Sequence, residues 1–304
     1  MAYAFLLMAS NTQKRKRLFR LTDSERRLLA QPAFIAGSVF AVTLLLVITG
    51  LINPLDSALA IDIWREERWL DRLFLLLESP GQRRLVYPLA ILGGLLFTIR
   101  RKDMLPLIVS LSALLFTNAT TGVFKILTMR GFPRYAGPEA FNSEFGDIVD
   151  LGAFPSGHAA NVAAACTLLI LAAYSARPRW RPYAAHITAF AFLPIILVTL
   201  SGWIRNTHWI SDLVGGYALG ICTTIVATLW ALHLPDHWRH PDMVGKSKIV
   251  IGVTGIVTCA VIFMFAGNSF LSHAGTSALL VVGTLGVIAY QSHKTYKRSQ
   301  KNSY

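Results

Sequence analysis

Two short stretches carry residue types that can do chemistry together: Pro155-Ser156-Gly157-His158, and His208 with Asp212 four residues later. Pro155 suits the first turn of a helix, and Ser156 and Gly157 leave backbone N–H groups free at its start. Such a helix mouth is a ready anion site, and His158 on its first turn points at the same anion. His208 and Asp212 are spaced to share one helix face. The carboxylate can then accept the Nδ1–H and leave Nε2 as the attacking atom, the orienting logic of a hydrolase triad. Breaking a phosphate bond needs cations for its oxygens, a nucleophile and an acid for the leaving oxygen. Lys125 offers a point charge, and Arg130, Arg134 and Arg205 offer guanidinium donors.

The elements that must position these groups are hydrophobic segments. The chain has 304 residues, 54% of them hydrophobic, with a mean hydropathy of +0.49. Its apolar residues come in long runs rather than short periodic ones, and a bilayer core needs about 20 such residues per helix. Eight spans are predicted, at 33–52, 85–99, 104–124, 157–176, 183–203, 212–233, 248–266 and 274–291. The fold class is therefore all-α, a polytopic transmembrane helical bundle with six central helices and two C-terminal spans. Residues 1–30 form a basic cytoplasmic arm, 31–235 the membrane core, and 236–304 the two further spans and a basic tail. In the outer loop 53–84, Trp64, Trp69, Leu73, Phe74 and Leu77 interleave with charges, the pattern of an amphipathic helix at the interface or braced over the bundle.

A net charge of +13 would suit a nucleic-acid binder, but its distribution argues otherwise. With the N-terminus cytoplasmic, 20 of the 29 lysines and arginines and five of the 16 acids lie inside, +15 against −2 outside. This is the positive-inside asymmetry of a membrane protein, and no nucleic-acid partner is expected. The expected location is a bacterial inner membrane, with both termini cytoplasmic and the histidine mouths on the outer face. Cys166, Cys222 and Cys259 fall inside spans and read as small core residues. His233, Asp236, His237 and His240 have metal-like residue types but lie at the opposite membrane side, so no metal or other cofactor is expected. Thr117, Asn118, Thr120 and Thr121, in the span leading to Lys125, either extend the polar pocket or bond across helices.

Lys125, Pro155-Ser156-Gly157-His158 and His208-x3-Asp212, each beside a span, resemble the motifs of the type 2 phosphatidic acid phosphatase superfamily, which includes vanadium haloperoxidases. The likeness covers about residues 85–235. It implies a six-helix phosphatase-like core and metal-independent hydrolysis of lipid phosphates. By resemblance, His208 is the nucleophile that forms a phosphohistidine, Asp212 its partner, and His158 the acid for the leaving group. Ser156, Gly157 and Lys125 would hold the phosphoryl oxygens. Two family arginines are replaced: Phe132 stands where Lys-x6-Arg-Pro requires one, and Gly202 follows Ser201 where Ser-Arg is the pattern. Arg130 and Arg205 are the expected substitutes. The reading is thus a phosphatase acting on a lipid phosphate or diphosphate within the bilayer. Transfer of the phosphoryl group to another acceptor and a silent lipid-phosphate binder or transport component are the rivals. Nothing in the sequence indicates a protein partner.

Overall fold

The computed structural model describes residues 23–60, 68–101, 103–133, 152–174 and 183–234. Among these residues the regular elements are helical: α1 (Asp23–Ile48), α2 (Asn53–Leu59), α3 (Arg68–Glu78), a 3-10 turn (Ser79–Gly81), α4 (Arg83–Arg101), α5 (Leu105–Thr128), α6 (Gly157–Tyr174), α7 (Ala184–Ile204) and α8 (Ile210–Leu232). Five are long and apolar enough to cross a membrane: α1, α5, α6, α7 and α8. That is fewer than the eight spans expected. The 85–99 segment forms a helix, α4, but it carries Arg83, Arg84, Arg100 and Arg101 at its ends and is not among the five. The expected spans 248–266 and 274–291, the cluster from Asp236 to His240, and Arg134 lie outside the described residues.

Helix α8 is the centre of the bundle and packs against α1, α5 and α6. In the most apolar stretches of α5 and α8, 61% of residues are buried, against 22% in α1 and α7. The outer helices turn Phe34, Ile35, Val42, Phe190 and Phe192 away from the bundle. Such apolar faces suit lipid and would be a liability in water.

The packing of α6 on α8 depends on small residues. A Cβ placed on Gly216 would come within 2.5 Å of the Ser156 carbonyl oxygen, and one on Gly220 would collide with the Ala160 carbonyl. Gly216 and Gly220 are four apart, the small-xxx-small spacing that lets membrane helices approach backbone to backbone. Across the α5–α8 contact, the Thr117 and Thr223 hydroxyls bond at 2.7 Å, whereas Thr120 bonds its own helix at Phe116. Cys166 bonds the Ala191 carbonyl, and Cys222 lies against Gly37 of α1. Both are free thiols and serve packing.

The amphipathic segment is α3. It exposes Trp69, Leu73 and Leu76 and packs on α7, where Ser201 donates to the Phe74 carbonyl at 2.6 Å. The following turn brings the chain back over the start of α6. There a Cβ on Gly81 would meet the His158 backbone oxygen at 2.8 Å, so only glycine allows this approach.

Candidate active site

All eight residues singled out as site candidates are described, and they gather at one end of the bundle. The end of α5 brings Lys125, the start of α6 brings Ser156, Gly157 and His158, and the α7–α8 connection brings Arg205, His208 and Asp212. Ser156 is fully buried, and its N–H donates to the Asp212 carbonyl at 3.0 Å, tying the mouth of α6 to the first turn of α8. The Lys125 ammonium donates to the Gly152 carbonyl, and its Cε lies 4.0 Å from the Cβ position of Gly157. Each imidazole is close enough to the other for mutual electrostatic influence, and Lys125 likewise senses Asp212.

His208 is 6% exposed, and its Nδ1 lies 3.5 Å from Asp212 Oδ2. That is longer than a hydrogen bond, and the nitrogen has no other partner. Asp212 is itself firmly held. Its Oδ2 accepts the Trp209 N–H at 3.0 Å, and its Oδ1 accepts Arg130 Nη1 at 2.8 Å. Arg130 also reaches Ser211 Oγ at 2.6 Å and, through Nη2, Asp56 Oδ2 at 2.7 Å, while its guanidinium lies over the Trp209 ring. Asp56 comes from α2, and its other oxygen accepts the Ser211 N–H at 3.1 Å. The guanidinium thus bridges two buried carboxylates, behind Asp212 as seen from His208.

His158 keeps 35% of its side chain exposed at the mouth, and its Nδ1 lies 3.2 Å from Glu78 Oε1. Glu78 is the last residue of α3 and is buried, and its Oε2 accepts Arg205 Nη1 at 2.5 Å. Arg205, like Arg130, is therefore bonded to a carboxylate. Both arginines were expected to face the phosphate. Buried carboxylates compete strongly for guanidinium, because an unpaired one would bear its full desolvation cost.

The two positions where the family carries arginine both border His208. The Phe132 ring centroid stands 5.5 Å from that of the imidazole, edge to face, and 5.7 Å from the Lys125 ammonium, so it packs beside both. A Cβ on Gly202 would be 3.9 Å from His208 Cδ2, and the Gly202 carbonyl accepts the His208 N–H at 3.2 Å.

Sequence reasoning missed Glu78, Asp56 and Arg83. Arg83, at the start of α4, is near enough to Lys125 and His158 to influence both electrostatically. Its Nη1 lies 3.4 Å from Asn118 Oδ1, and the Tyr87 hydroxyl connects Asn118 (3.4 Å) to Asn161 (3.1 Å). Asn161 donates to the Gly81 carbonyl at 3.2 Å, which anchors the turn over His158. Of the polar residues preceding Lys125, Asn118 thus extends the pocket, and the Thr121 hydroxyl beside it is buried without a hydrogen-bond partner. The turn signal Ser79-Pro80-Gly81 directly after an amphipathic helix was the available sequence clue to Glu78.

Several apolar helices of membrane-crossing length, with a mouth lined by histidine, lysine and carboxylate at one end, point to an integral membrane protein. A family model described as the PAP2 superfamily matches residues 106–235, so this segment is similar to that superfamily. Family and apolar helices together support a membrane phosphatase in general. No curated protein and no solved structure matches the chain.

Proposed function

We propose that this protein hydrolyses a lipid phosphate or lipid diphosphate through a phosphohistidine on His208. The observation that carries the reading is the convergence of two imidazoles, each with a carboxylate at its Nδ1 side, on a mouth closed by Lys125 and the start of α6. With Nδ1 turned to Asp212, His208 Nε2 attacks phosphorus in line. The bond to the leaving oxygen breaks as His158 Nε2–H gives that oxygen its proton. In the second half, water attacks the phosphohistidine while His158 takes the proton back, and the P–N electron pair returns to His208. Lys125, the Gly157 N–H at the helix start and the cation of Arg83 neutralise the phosphoryl oxygens. Arg130 acts through Asp212 and does not touch substrate in this scheme.

The apolar cavity beside the mouth supports a lipid as the substrate. It is about 400 Å³, starts at Pro80 next to the glycine that covers His158, and runs between α4, α6 and α7. Val86, Leu89, Ala165, Leu169 and Phe190 line it, a surface suited to a hydrocarbon chain whose phosphate sits at the mouth. The charge asymmetry supports an outward-facing mouth and an inner-membrane location. The test is phosphate release from lipid phosphates in liposomes. The protein should release inorganic phosphate, and the His208→Ala variant, still folded, should release none. Persisting activity in that variant would remove the mechanism.

A further inference from the structure

The family motifs account for one carboxylate at the site, Asp212, and leave Glu78 without a role. Glu78 is 4% exposed, in a helix otherwise spread over the bundle surface. Burying a carboxylate is expensive unless it is paired, and membrane proteins retain such groups chiefly where they serve a site. Its two oxygens are divided between two tasks. Oε2 accepts Arg205 Nη1 at 2.5 Å, and Oε1 lies 3.2 Å from His158 Nδ1. The Gly81 turn that follows sits on the His158 backbone, so the same segment fixes both ends of that residue. Around the His158 ring the other charged or titratable groups are Lys125 from α5, Arg83 from α4 and His208 from the α7–α8 connection. None of them is an anion. Glu78 is the anionic group among these neighbours, and it lies on the Nδ1 side of the ring.

We infer that Glu78 is a positioning residue for His158: with Arg205 holding its far oxygen, it orients the ring so that Nε2–H faces the leaving oxygen. It also supports the positive charge that the imidazole carries before transfer. This rests on the reading of His158 as the acid. The site is then built from two parallel chains, Arg130–Asp212–His208 behind the nucleophile and Arg205–Glu78–His158 behind the acid. No atoms are exchanged with Glu78 itself. The proton that reaches the leaving oxygen comes from His158 Nε2, and Nδ1–H remains directed at the carboxylate throughout.

A residue that acts through an acid has a signature that a merely structural residue lacks, namely dependence on the leaving group. An aryl phosphate such as para-nitrophenyl phosphate expels a stable phenolate and needs little protonation. An alkyl phosphate such as dodecyl phosphate needs it fully. The experiment compares both substrates in detergent for the full chain and for Glu78→Gln, which is close in shape and lacks the charge. General acids contribute about 10²–10⁴-fold. Glu78→Gln should lose roughly 10–100-fold in kcat/KM, which reports the step that expels the leaving group, on dodecyl phosphate and less than about threefold on the aryl ester. Equal losses on both substrates, or no loss, would overturn the assignment. If Glu78→Gln does not elute as folded protein, Glu78→Asp decides. Keeping the charge one methylene short, it should again lose selectively on the alkyl substrate, and a uniform loss refutes the role. Absence of any His208-dependent release from the unaltered protein would instead sink the phosphatase reading itself.

Discussion

Arg130 offers the sharpest test of how the site is built, because two roles for it predict different measurements. As a phosphate ligand it would be spared by folding and felt by substrate. As the clamp seen in the structure, it neutralises Asp56 and Asp212, which are 2% and 0% exposed, at 2.7 and 2.8 Å. Replacing it by methionine keeps much of the stem and removes the charge, leaving two buried carboxylates facing each other across Ser211. Removing one partner of a buried pair costs about 3–5 kcal/mol, and here two carboxylates lose their countercharge, so the upper half of that range is expected. Arg130→Met should therefore unfold markedly earlier in a thermal scan in detergent. Its kcat should fall as well, because Asp212 no longer has a fixed place from which to orient His208. A double-mutant cycle isolates the cause. Asp56→Asn alone should destabilise, whereas in the Arg130→Met background it should cost much less or stabilise, a coupling of about 1–3 kcal/mol. Wild-type stability in Arg130→Met, with a loss confined to KM, would refute the clamp and return Arg130 to the phosphate.

Two further outcomes follow from the geometry. Lys125→Met should reduce kcat for phosphate release by about 10²–10³-fold, the cost of one oxyanion donor, while the folded fraction stays unchanged; a loss below tenfold would mean that Arg83 and the helix mouth suffice. Gly216→Val should separate α6 from α8, because the new side chain overlaps the Ser156 carbonyl, and should lower both thermal stability and activity. Unaltered activity in that variant would show that the Ser156–Asp212 backbone bond does not set the site.

What the sequence disclosed, and what it hid, divides along the range of the interactions. Pro155-Ser156-Gly157-His158 and His208-x3-Asp212 were legible because each is a local pattern whose side chains are placed by a single helix start or turn. Lys125 was legible through its distance from them along one span. The destinations of Arg130 and Arg205 were not, since a count of residues along a turn suggests that they reach the phosphate. Their partners, Asp56 and Glu78, are 74 and 127 residues away and belong to a loop whose path no periodicity specifies. The amphipathic character of α3 was readable from its alternation of tryptophan, leucine and charge. That its last residue turns inward was not, because a buried glutamate obeys its partner rather than its helix. The 85–99 segment was legible as a helix, α4, but with Arg83, Arg84, Arg100 and Arg101 at its ends it is not among the five helices long and apolar enough to cross a membrane.

The stretch that carries the family's own imprint begins at residue 106, yet Asp56 and Glu78 both precede it. The mouth is consequently divided between the family-like segment, which brings His208, His158 and Lys125, and an upstream segment, which brings the carboxylates paired with Arg130 and Arg205. Grafting residues 106–235 onto another scaffold would carry over every motif and leave Arg130 and Arg205 without these two countercharges. Drift in α2 or α3 can likewise retune or silence the enzyme while leaving its recognisable signatures intact.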